Sequence, residues 1–521
     1  MTKDPNPDTI ADIMVHELYR RVIDGIKSGE IGNRNELQKH KVRLAGEYGL
    51  NAVPSNSEIL AAAEDHEMRV VLPLLRRKPV RTVSGVAVVA VMTSPHPCPH
   101  GKCSYCPGGV DSPQSYTGKE PAARRAMRNE FDPFRQVTDR ITQLEAIGHG
   151  TDKIDLIIMG GTFTSRDPEY QEWFVRRCFD AMNGIDSSSI EEAHAMNTVS
   201  EHRCIGMTVE TRPDVFSDEQ IERSMGLGAT RVELGVQILD DEILRGVNRG
   251  HGVTEVIDAT ARCKRHGLKI CYHLMPGLPG SSKEKDMESF MRIFDDQEFR
   301  PDMLKFYPTL VIPGTELYDM WNDGKYMPYN TEDGIALISM MKSAVPEYVR
   351  IQRIQRDIPV QQIAAGIKKS NLRELAQERL ASEGKRCRCI RCREVGQNDI
   401  SPDERSMMTM KEIEYKASGG TEHFVSLEYE NMIAGYVRLR MDADAASVRE
   451  LKVFGRMAGI GEHGDEWQHR GLGKRLMARA EEIARASGKD ALRITSGVGV
   501  REYYVSLGFE LQAPYMVKTI L

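Results

Sequence analysis

The stretch VSGVAVVAVM, residues 83–92, followed by HPCPHGKCSYCPGG, residues 96–109, indicates the fold of this chain. The first segment is a continuous apolar run rich in valine, which is typical of a strand in a buried parallel sheet. The second segment reads as a loop, because glycine and proline surround its three cysteines, Cys98, Cys103 and Cys106. A buried strand that ends in a loop of reactive side chains is typical of α/β proteins, whose chemistry lies at the carboxyl ends of strands.

Five further apolar runs follow this strand and alternate with segments of helical pattern. Six strands that alternate with helices predict an α/β fold over residues 81–330, either a parallel sheet or a partial, open TIM-like barrel. The further runs are KIDLIIMGG (153–161), CIGMTVET (204–211), RVELGVQ (231–237), KICYHLMPG (269–277) and MLKFYPTLV (303–311). The helical segments are 121–147, 217–227, 253–266 and 284–296.

The segment before the barrel, residues 1–80, is polar and shows helical pattern without strand alternation. Basic residues cluster in it at 34–43 and again at 76–81. Such runs commonly form the solvated face of a helix, and they also suit an anionic partner. We predict a helical N-terminal segment and leave both roles open for its basic residues.

The segment after the barrel, residues 331–400, is poor in strand pattern and strongly basic. From Lys368 to Arg393 it holds nine Lys and Arg against three Glu, a net charge of +6. Arg350, Arg353 and Arg356 recur at every third position, which predicts one side of a helix. This segment is expected to be a basic linker to a further domain.

Residues 401–521 have the pattern of a separate α+β domain. FVSLEY and MIAGYVRLRM are expected to pair as a hairpin across Glu430 and Asn431. ELKVFG is a further strand, and GLGKRLMARAEEIARASG is an amphipathic helix that follows a glycine-bearing loop.

The composition and the N-terminal sequence indicate the compartment in which the protein works. The net charge of −6 over 521 residues does not mark the whole chain as a nucleic-acid binder. The N-terminus lacks a signal-peptide pattern, and no apolar run has the length that a membrane span needs. We therefore expect a cytoplasmic protein without membrane contact, in which clustered cysteines bind metal or carry redox chemistry rather than form disulfides.

Three thiolates on one loop suit a four-iron cluster, because one iron then stays open for another ligand. A zinc site completed by His96 or His100 is the alternative. The loop resembles that of radical S-adenosylmethionine (SAM) enzymes, although its spacing is C-x4-C-x2-C where C-x3-C-x2-C is usual. The resemblance implies that Cys98, Cys103 and Cys106 hold a 4Fe-4S cluster whose open iron binds SAM, and that Tyr105 packs near the adenine.

Later strand ends extend this resemblance. MGGTFT follows the second strand, where glycine allows the backbone to approach a ligand closely. ETRPD and GVQ end the third and fourth strands, and MPGLPG (275–280) ends the fifth. In relatives these positions contact SAM. The resemblance therefore implies SAM-binding roles for Gly160, Gly161, Thr162, Glu210 and Gln237.

The C-terminal domain carries a second motif, Q-x-x-G-x-G, at the start of its helix. Backbone N–H groups at a helix N-terminus bind pyrophosphate. The motif resembles the acetyl-CoA loop of GNAT acyltransferases, in which the preceding strand pairs with the pantetheine arm and a later tyrosine lies near the thioester. The resemblance implies Tyr504 as the first choice for that tyrosine and Tyr503 as the second. The implied acetyl-CoA contacts are Gln468, Gly471, Leu472, Gly473, Lys474, Glu450, Leu451, Lys452 and Val453.

A second cysteine cluster, Cys387, Cys389 and Cys392, lies in the basic linker. Its tight spacing predicts one Zn²⁺ ion with a distant fourth ligand. The sequence leaves that ligand open among Cys271, His273 and His423. The scattered cysteines are expected to be small buried apolar residues; they are Cys178, Cys204, Cys263 and Cys271.

A radical SAM barrel followed by a GNAT domain resembles the catalytic subunits of Elongator in their archaeal-like form. The matching stretches include SYTGKEP, IIMGGTF, ETRPD, YPTLVIPGTELY and TSGVGVREYY. The reaction implied is formation of 5-carboxymethyluridine at the wobble position, 34, of tRNA from acetyl-CoA by SAM-derived radical chemistry. Lys153 matches a position that contacts CoA in this family.

This resemblance implies four segments: a tRNA-binding segment (1–80), a radical SAM domain (81–330), a zinc-binding linker (331–400) and a GNAT domain (401–521). It implies the anticodon region of tRNA, acetyl-CoA, SAM and an electron donor for the cluster as partners, and self-association is a further expectation. The alternative functions are a protein lysine acetyltransferase whose iron–sulfur domain is structural, and a tRNA-binding scaffold.

Overall fold

The computed structural model of the protein describes residues 7–50, 52–77, 85–395, 407–454 and 471–520. The chain divides into two compact units. The first comprises Met1–Ala87 with Thr138–Asp152, and the second comprises Val88–Val137 with Lys153–Leu521. Among the helices described, none combines the length and the apolar character that a membrane span requires.

The first unit contains the helical N-terminal segment that the sequence predicts. Its helices pack around an apolar core that includes Leu18 and Ile59. Local capping sets the helix starts: Asn33 accepts hydrogen bonds from the first turn of the second helix, and Ser55 with Glu58 forms a capping box at the third. The helices are α1 (Pro7–Lys27), α2 (Arg34–Glu47), α3 (Asn56–Ala61) and α4 (Asp65–Leu75).

The second unit begins with an open sheet of seven strands whose spatial order follows the chain. Each pairing from the second strand to the seventh is parallel. This is the predicted partial barrel, and it confirms the α/β class. The strands are β1 (Ala87–Met92), β2 (Lys153–Met159), β3 (Arg203–Thr211), β4 (Arg231–Gln237), β5 (Lys269–Leu274), β6 (Met303–Phe306) and β7 (Arg350–Ile354).

The helices of this part of the chain follow the predicted alternation, with one division. The predicted helical segment 121–147 consists of two helices, because Glu130 and Phe131 adopt positive φ values of 54° and 58° and Pro133 starts a new helix. The helices are α5 (Pro121–Arg128), α6 (Pro133–Ala146), α7 (Pro168–Asn183), α8 (Ile190–Asn197), α9 (Asp218–Gly226), α10 (Asp241–Gly246), α11 (Val253–Arg265), α12 (Lys283–Asp295), α13 (Glu316–Asn322), α14 (Thr331–Ala344), α15 (Leu372–Ser382) and α16 (Ile390–Arg393).

The seventh strand corrects the expectation that Arg350, Arg353 and Arg356 lie along a helix. Arg350 and Arg353 belong to β7, and both pair in register with β6. Within β7 the side chains of Ile351 and Ile354 are buried, and the pairing with β6 shifts register between them. Parallel pairing with β6 decides this segment, because tertiary context overrides a weak local pattern.

The second unit continues with an α+β domain, as predicted. Its strands are β8 (Thr409–Ala417), β9 (Gly420–Tyr429), β10 (Met432–Met441), β11 (Ala446–Val453), β12 (Ala491–Ile494), β13 (Glu510–Gln512) and β14 (Tyr515–Thr519). They lie in the order β13–β14–β12–β11–β10–β9–β8, and β11 runs parallel to β12. The predicted hairpin across Glu430 and Asn431 is present, with Met432 opposite Tyr429. Helix α17 (Leu472–Ala486) packs its buried Leu476 against the sheet, and a short helix, α18 (Arg501–Val505), follows β12.

Within the second unit, the α+β domain contacts the amino-terminal edge of the barrel strands. Gly497 and Gly499 pack against the backbone of Ile205 and Arg203 at the start of β3, where a side chain would clash. A buried ion pair joins Arg449 of β11 to Asp302, which precedes β6. The cysteine loop follows the opposite, carboxyl end of β1, so the barrel interior lies between the loop and this junction.

Candidate functional site

The three cysteines of the loop line a cavity of about 190 Å³ at the carboxyl ends of the barrel strands. Cys103 and Cys106 are buried, and Cys98 is partly buried. The backbone N–H of Ser115 donates to the Cys106 sulfur at 3.0 Å, and His100 Nε2 lies 3.1 Å from the Cys103 sulfur. Such hydrogen bonds stabilise thiolates that bind a metal cluster.

The spacing of these sulfurs fits a cluster better than a single ion. Two thiolates on one Zn²⁺ lie about 4 Å apart, because each Zn–S bond is about 2.3 Å long. Among the described residues, the sulfurs of Cys98, Cys103 and Cys106 do not form a group whose atoms all lie within 4.8 Å, whereas those of the linker cysteines do. The donor set therefore fits the expected 4Fe-4S cluster.

His100, the alternative zinc ligand, has a different role in the structure. Its Nδ1 contacts the guanidinium of Arg212, which also binds Asp214 through two hydrogen bonds. Burial and the charges of Arg212 and Arg249 lower the pKa of His100 to about 4. Because Nδ1 of the neutral ring accepts from Arg212, Nε2 carries the proton and donates to Cys103. His100 thus contacts one of the three cysteines that are expected to hold the cluster.

Most residues predicted to bind SAM line the same cavity: Tyr105, Gly161, Thr162, Glu210 and Gln237. Gly160 and Gly161 have φ values of 136° and 86°, and a Cβ on Gly161 would lie 3.2 Å from the Gln114 carbonyl oxygen. Only glycine adopts this backbone without strain, so the chain can approach a ligand there. The Thr162 hydroxyl lies 3.5 Å from the Cys98 sulfur, and Glu210 accepts a 2.6 Å hydrogen bond from Tyr116.

Two of these predicted residues hold buried polar atoms without a partner among the described residues. They are the Tyr105 hydroxyl and Gln237 Oε1. A buried polar atom without a hydrogen bond is costly, and a bound ligand relieves that cost. Both residues line the cavity, so the site fits a polar ligand such as SAM.

Sequence reasoning missed Arg249, which lies deep in the same cavity. Its guanidinium donates to the Gly235 carbonyl at 2.6 Å and lies 3.8 Å from the Cys103 sulfur. The signal was the run NRGHG at 248–252, which follows the short helix after β4. Arg249 reaches the cavity because the helix after β4 returns the chain to the cysteine loop. The local sequence pattern does not predict that return.

The barrel interior below the cysteines is charged, whereas barrel interiors are usually filled by branched apolar residues. Glu233, His273 and Lys305 project from β4, β5 and β6 into the cavity. His273 Nε2 lies 2.8 Å from Glu233 Oε2, and Lys305 donates to the same oxygen. Burial opposes ionisation, but Lys305 and His273 hold the pKa of Glu233 below its usual range. Glu233 is therefore a carboxylate at neutral pH.

The linker cysteines form a compact group suited to one ion. The sulfurs of Cys387, Cys389 and Cys392 all lie within 4.8 Å of one another. Lys342 and Gln377 each donate to the Cys392 sulfur at 3.7 Å. Three thiolates at this spacing fit Zn²⁺, with the fourth position open.

None of the three proposed fourth ligands joins this group. Cys271 and His273 lie beside Glu233 in the barrel interior and form a separate cluster with it. His423 Nδ1 lies 2.9 Å from Glu412 Oε1 on the neighbouring strand β8. These expectations were wrong because distance along the chain says nothing about which strands meet. Within the described part of the chain, no other His, Cys, Asp or Glu completes the group.

The predicted acetyl-CoA loop is described from Gly471 onward, and Gln468 lies outside the described residues. Gly471 caps α17 with φ at 79°. The first turn of this helix contains no acidic residue and carries Lys474. A helix N-terminus with nearby positive charge attracts phosphate. A Cβ on Gly473 would lie 2.7 Å from the Tyr503 hydroxyl, so the backbone is closely approached there.

Strand β11 offers an edge suited to the pantetheine arm. Its residues Ala446–Val448 pair with β12, and in the described residues that pairing does not continue to Glu450–Val453. The other edge of these residues pairs with β10. Parallel strands that separate in this way leave backbone groups open to the amides of a ligand. Leu451 and Leu472 pack on the core, the Glu450 side chain binds Arg438, and burial lowers the pKa of Lys452.

The two candidate tyrosines occupy different environments. Tyr504 is 6% exposed and belongs to the core of the α+β domain, where its ring packs against Phe509. Tyr503 is 37% exposed, and its hydroxyl faces Gly473. Lys153 starts β2 and pairs in register with Arg203, against which Gly499 packs. Lys153 therefore lies at the barrel edge that meets this domain.

Folding removes several predicted basic residues from the surface. Arg393 is 2% exposed and pairs with Glu428, and Arg373 lies partly buried with a hydrogen bond to the Ile351 carbonyl. Lys41 is 4% exposed and donates to Asn56. The linker residues that remain exposed include Lys368, Lys369 and Arg386.

The half-barrel with its cysteine loop, joined to this α+β domain, defines a radical SAM protein that carries a GNAT domain. Comparison with known families agrees. Residues 94–292 match "Radical SAM superfamily", 301–382 match "Radical_SAM C-terminal domain" and 392–509 match "Acetyltransferase (GNAT) family". Residues 14–83 match "ELP3 N-terminal domain".

Full-length relatives identify the family. The chain is 49% identical over 525 residues to a tRNA uridine(34) acetyltransferase of Methanocaldococcus jannaschii, covering 96% of this chain and 97% of that protein. It is 40% identical over 542 residues to Elongator complex protein 3 of Homo sapiens, covering 99% and 98%. It resembles the solved structure of archaeal Methanocaldococcus infernus Elp3 lacking residues 1–46, with a TM-score of 0.75, 46% identity and coverage of 84% and 99%. The chain belongs to the family of Elongator complex protein 3 and the tRNA uridine(34) acetyltransferases.

Proposed function

We propose that the protein forms 5-carboxymethyluridine at the wobble position of tRNA, with acetyl-CoA as the source of the added carbons. The observation that carries this proposal is the joining of the cysteine cavity and the acetyl-CoA loop in one compact unit. A buried ion pair between Arg449 and Asp302 connects the two parts. A radical SAM site and an acetyl-CoA site within one compact unit are suited to a single reaction that needs both SAM and acetyl-CoA.

The cavity residues have separable roles in this reaction. Cys98, Cys103 and Cys106 hold the cluster, and the contacts of His100 and Ser115 stabilise two of the thiolates. When bound, the cluster and SAM supply the one-electron chemistry that makes the unreactive acetyl methyl group available for carbon–carbon bond formation. The SAM-binding residues hold and orient the cofactor at the rim of the barrel; they are Tyr105, Gly160, Gly161, Thr162, Glu210 and Gln237.

The α+β domain binds acetyl-CoA. Gly471, Leu472, Gly473 and Lys474 hold the pyrophosphate at the start of α17, and Glu450–Val453 pair with the pantetheine arm. Tyr503 and Tyr504 are the candidates for contact with the thioester end. The position of Lys153 at the edge of β2 supports its contact with CoA.

The linker cysteines bind a structural Zn²⁺ ion. They lie where the chain leaves the barrel: Cys389 is the N-cap of α16, and the N–H of Ile390 donates to the Val349 carbonyl beside β7. A metal that ties this short segment stabilises the path between the two domains. The same linker exposes Lys368 and Lys369, which would contact tRNA phosphates.

The N-terminal unit offers a further phosphate-binding surface. Arg34, Arg76 and Arg77 line one groove together with Asn56. Three guanidinium groups around a groove suit the phosphates of RNA, which position the substrate without reading its sequence. This unit would help to hold tRNA while the wobble base leaves the anticodon stack.

The proposal is tested with anaerobically reconstituted protein, tRNA, SAM, a reductant and acetyl-CoA labelled in its acetyl carbons. We expect label in 5-carboxymethyluridine after digestion to nucleosides, and no product without SAM. Label on protein lysines that is independent of SAM, with none in tRNA, would instead identify a protein lysine acetyltransferase.

A further inference from the structure

We propose that Glu233 is a specificity-determining residue that recognises the N3–H group of the target uracil inside the barrel. This inference deepens the proposed function and rests on it. It concerns a side chain that sequence reasoning did not single out.

The two oxygens of Glu233 differ in their partners. Oε2 takes both neighbouring contacts: Lys305 donates to it, and His273 Nε2 lies 2.8 Å away. Oε1 has no hydrogen-bond partner among the described residues, although the side chain is 0% exposed. A buried carboxylate oxygen without a donor costs free energy, so the site is built to receive one.

Two other carboxylates on the barrel strands have hydrogen-bond partners within the protein. Glu210 of β3 accepts from the Tyr116 hydroxyl, and Asp155 of β2 accepts from Arg231 with both oxygens. Of these three acidic residues, Glu233 alone keeps an unpartnered buried oxygen. Glu233 therefore offers a buried acceptor to a ligand that enters the cavity with a hydrogen-bond donor.

The depth of Glu233 separates it from the SAM-binding residues. It lies two residues before Gly235 and four before Gln237 on β4, or about 7 and 13 Å deeper along the strand. The unpartnered Tyr105 hydroxyl and Gln237 Oε1 mark the rim. The residues at the rim would thus bind SAM. Glu233, which lies deeper in the barrel, would bind the substrate.

The chemistry of uracil fits this position. Its Watson–Crick edge carries one donor, N3–H, between two carbonyl acceptors. Glu233 Oε1 would accept from N3–H, and Lys305, which has further ammonium protons, would donate to a neighbouring carbonyl. Tyr307 lies two residues after Lys305 and lines the same cavity, with its ring centroid 5.2 Å from that of His273, so its ring would pack against a base taken out of the stack. Cytosine presents an acceptor at N3 and would place its lone pair against the carboxylate.

The test alters the base and the residue together. Anticodon stem-loops carry uridine or 3-methyluridine at position 34, since the methyl group replaces the donor. Dissociation constants and rates of carboxymethylation are measured for the wild type, Glu233→Ala and Glu233→Gln. Asp155→Asn is the matched control, because it neutralises a barrel carboxylate whose oxygens are both engaged.

We expect wild type to prefer uridine over 3-methyluridine by about 100-fold or more, because a site built around a hydrogen bond rejects an analogue that lacks it. Glu233→Ala removes the acceptor and makes room for the methyl group, so the preference should fall to within about tenfold. Glu233→Gln, which preserves shape, should lower it as well. Asp155→Asn should keep the wild-type preference.

An unchanged preference in both Glu233 variants, or an equal loss in Asp155→Asn, overturns the inference. The dissociation constants distinguish failure of this inference from failure of the proposed function, because base recognition is measured without catalysis. If wild type forms 5-carboxymethyluridine but residue 233 does not affect the preference, base recognition fails and the function stands. If no product forms and the binding preference still depends on residue 233, the recognition stands and the proposed function fails.

Discussion

Arg449 of the α+β domain and Asp302 of the barrel form a two-point ion pair inside the protein. The guanidinium donates to both carboxylate oxygens, at 2.7 and 2.5 Å, and neither side chain is exposed. Arg449 also binds Glu422 of β9 at 2.8 Å, while Asp302 accepts from the backbone N–H of Ile270 at 2.9 Å. One carboxylate thus holds the start of two barrel strands and the acetyltransferase sheet in a fixed relation.

The first prediction concerns this pair. Asp302→Asn should destabilise the second unit by about 3–5 kcal/mol, because Arg449 would keep its charge in a buried place without its main partner. Asp333→Asn is the control: its partner is an exposed Lys283, so the loss should stay below about 1 kcal/mol. Chemical denaturation followed by circular dichroism measures both.

The same pair predicts a direction of pH dependence. Burial opposes ionisation of Asp302, but Arg449 and Arg438 hold its pKa well below its usual range. The unfolded carboxyl has a pKa of about 3.9, so the pair contributes fully above that pH and less as the pH falls towards the folded value. The deficit of Asp302→Asn should therefore be constant between about pH 6 and 8 and shrink below about pH 4. A deficit that grows in acid would contradict this assignment.

The second prediction concerns the cluster. Cys103→Ala should lose the iron–sulfur absorbance near 400 nm and SAM cleavage, because the two cysteines that remain, Cys98 and Cys106, would hold a four-iron cluster poorly. The fold should survive, since the loop lies at the rim of the barrel. Cys178→Ala changes a buried cysteine of α7 and should keep the iron content. Production of 5′-deoxyadenosine by Cys103→Ala at the wild-type level would refute the assignment.

The third prediction concerns zinc. Cys389→Ser should release zinc and lower the thermal stability of the linker, because it removes a ligand from the compact triad. Cys271→Ser should retain zinc, since the structure places that cysteine beside Glu233. Elemental analysis of protein stripped of its iron–sulfur cluster distinguishes these outcomes. Wild-type protein without zinc would exclude a zinc site.

The fourth prediction concerns acetyl-CoA. Gly473→Glu should abolish acetyl-CoA binding, because its side chain meets Tyr503 and brings a negative charge to the phosphate site. SAM binding and the cluster spectrum should be unchanged, while carboxymethylation of tRNA should disappear. Gly226→Ala, at a helical glycine with open space around it, is the control and should bind acetyl-CoA normally. Wild-type transfer of acetyl label to tRNA by Gly473→Glu would exclude this loop as the acetyl-CoA site.

The fifth prediction concerns tRNA. The double variant Lys368→Glu and Lys369→Glu should weaken tRNA binding and reduce its salt dependence, by about one unit of slope or less for each lost phosphate contact. Arg373, which the basic run suggested as a third member, is left unchanged because it is partly buried. The control is the double variant Lys283→Glu and Lys325→Glu, which changes the net charge by the same amount at exposed lysines elsewhere. Equal effects of the two double variants would place the RNA surface elsewhere.

The local sequence pattern was sufficient to predict much of the fold of this protein. The valine-rich strand before Cys98, the alternation of later strands with helices, and the hairpin across Glu430 depend on periodicity and turn residues that neighbours in the chain supply. The two cysteine triads were visible for the same reason, since the spacing of ligands on one loop is a local property. The boundary at Glu130 and Phe131 was missed, because a short break in a helical pattern has little weight in a long window.

The sequence by itself determined six of the seven described strands of the half-barrel and the separate α+β domain, and it supplied the candidate residues for a cluster, SAM and acetyl-CoA. Only the tertiary structure decided which distant residues meet. Glu233, His273 and Lys305 come from three strands, and parallel register makes them neighbours. The same packing turned Cys271 and His273 away from the linker triad, made a strand of Arg350 and Arg353, and buried Arg393. The reason is physical: a side chain's type and local spacing are written along the chain, but its neighbours and its exposure are set by strand pairing and burial.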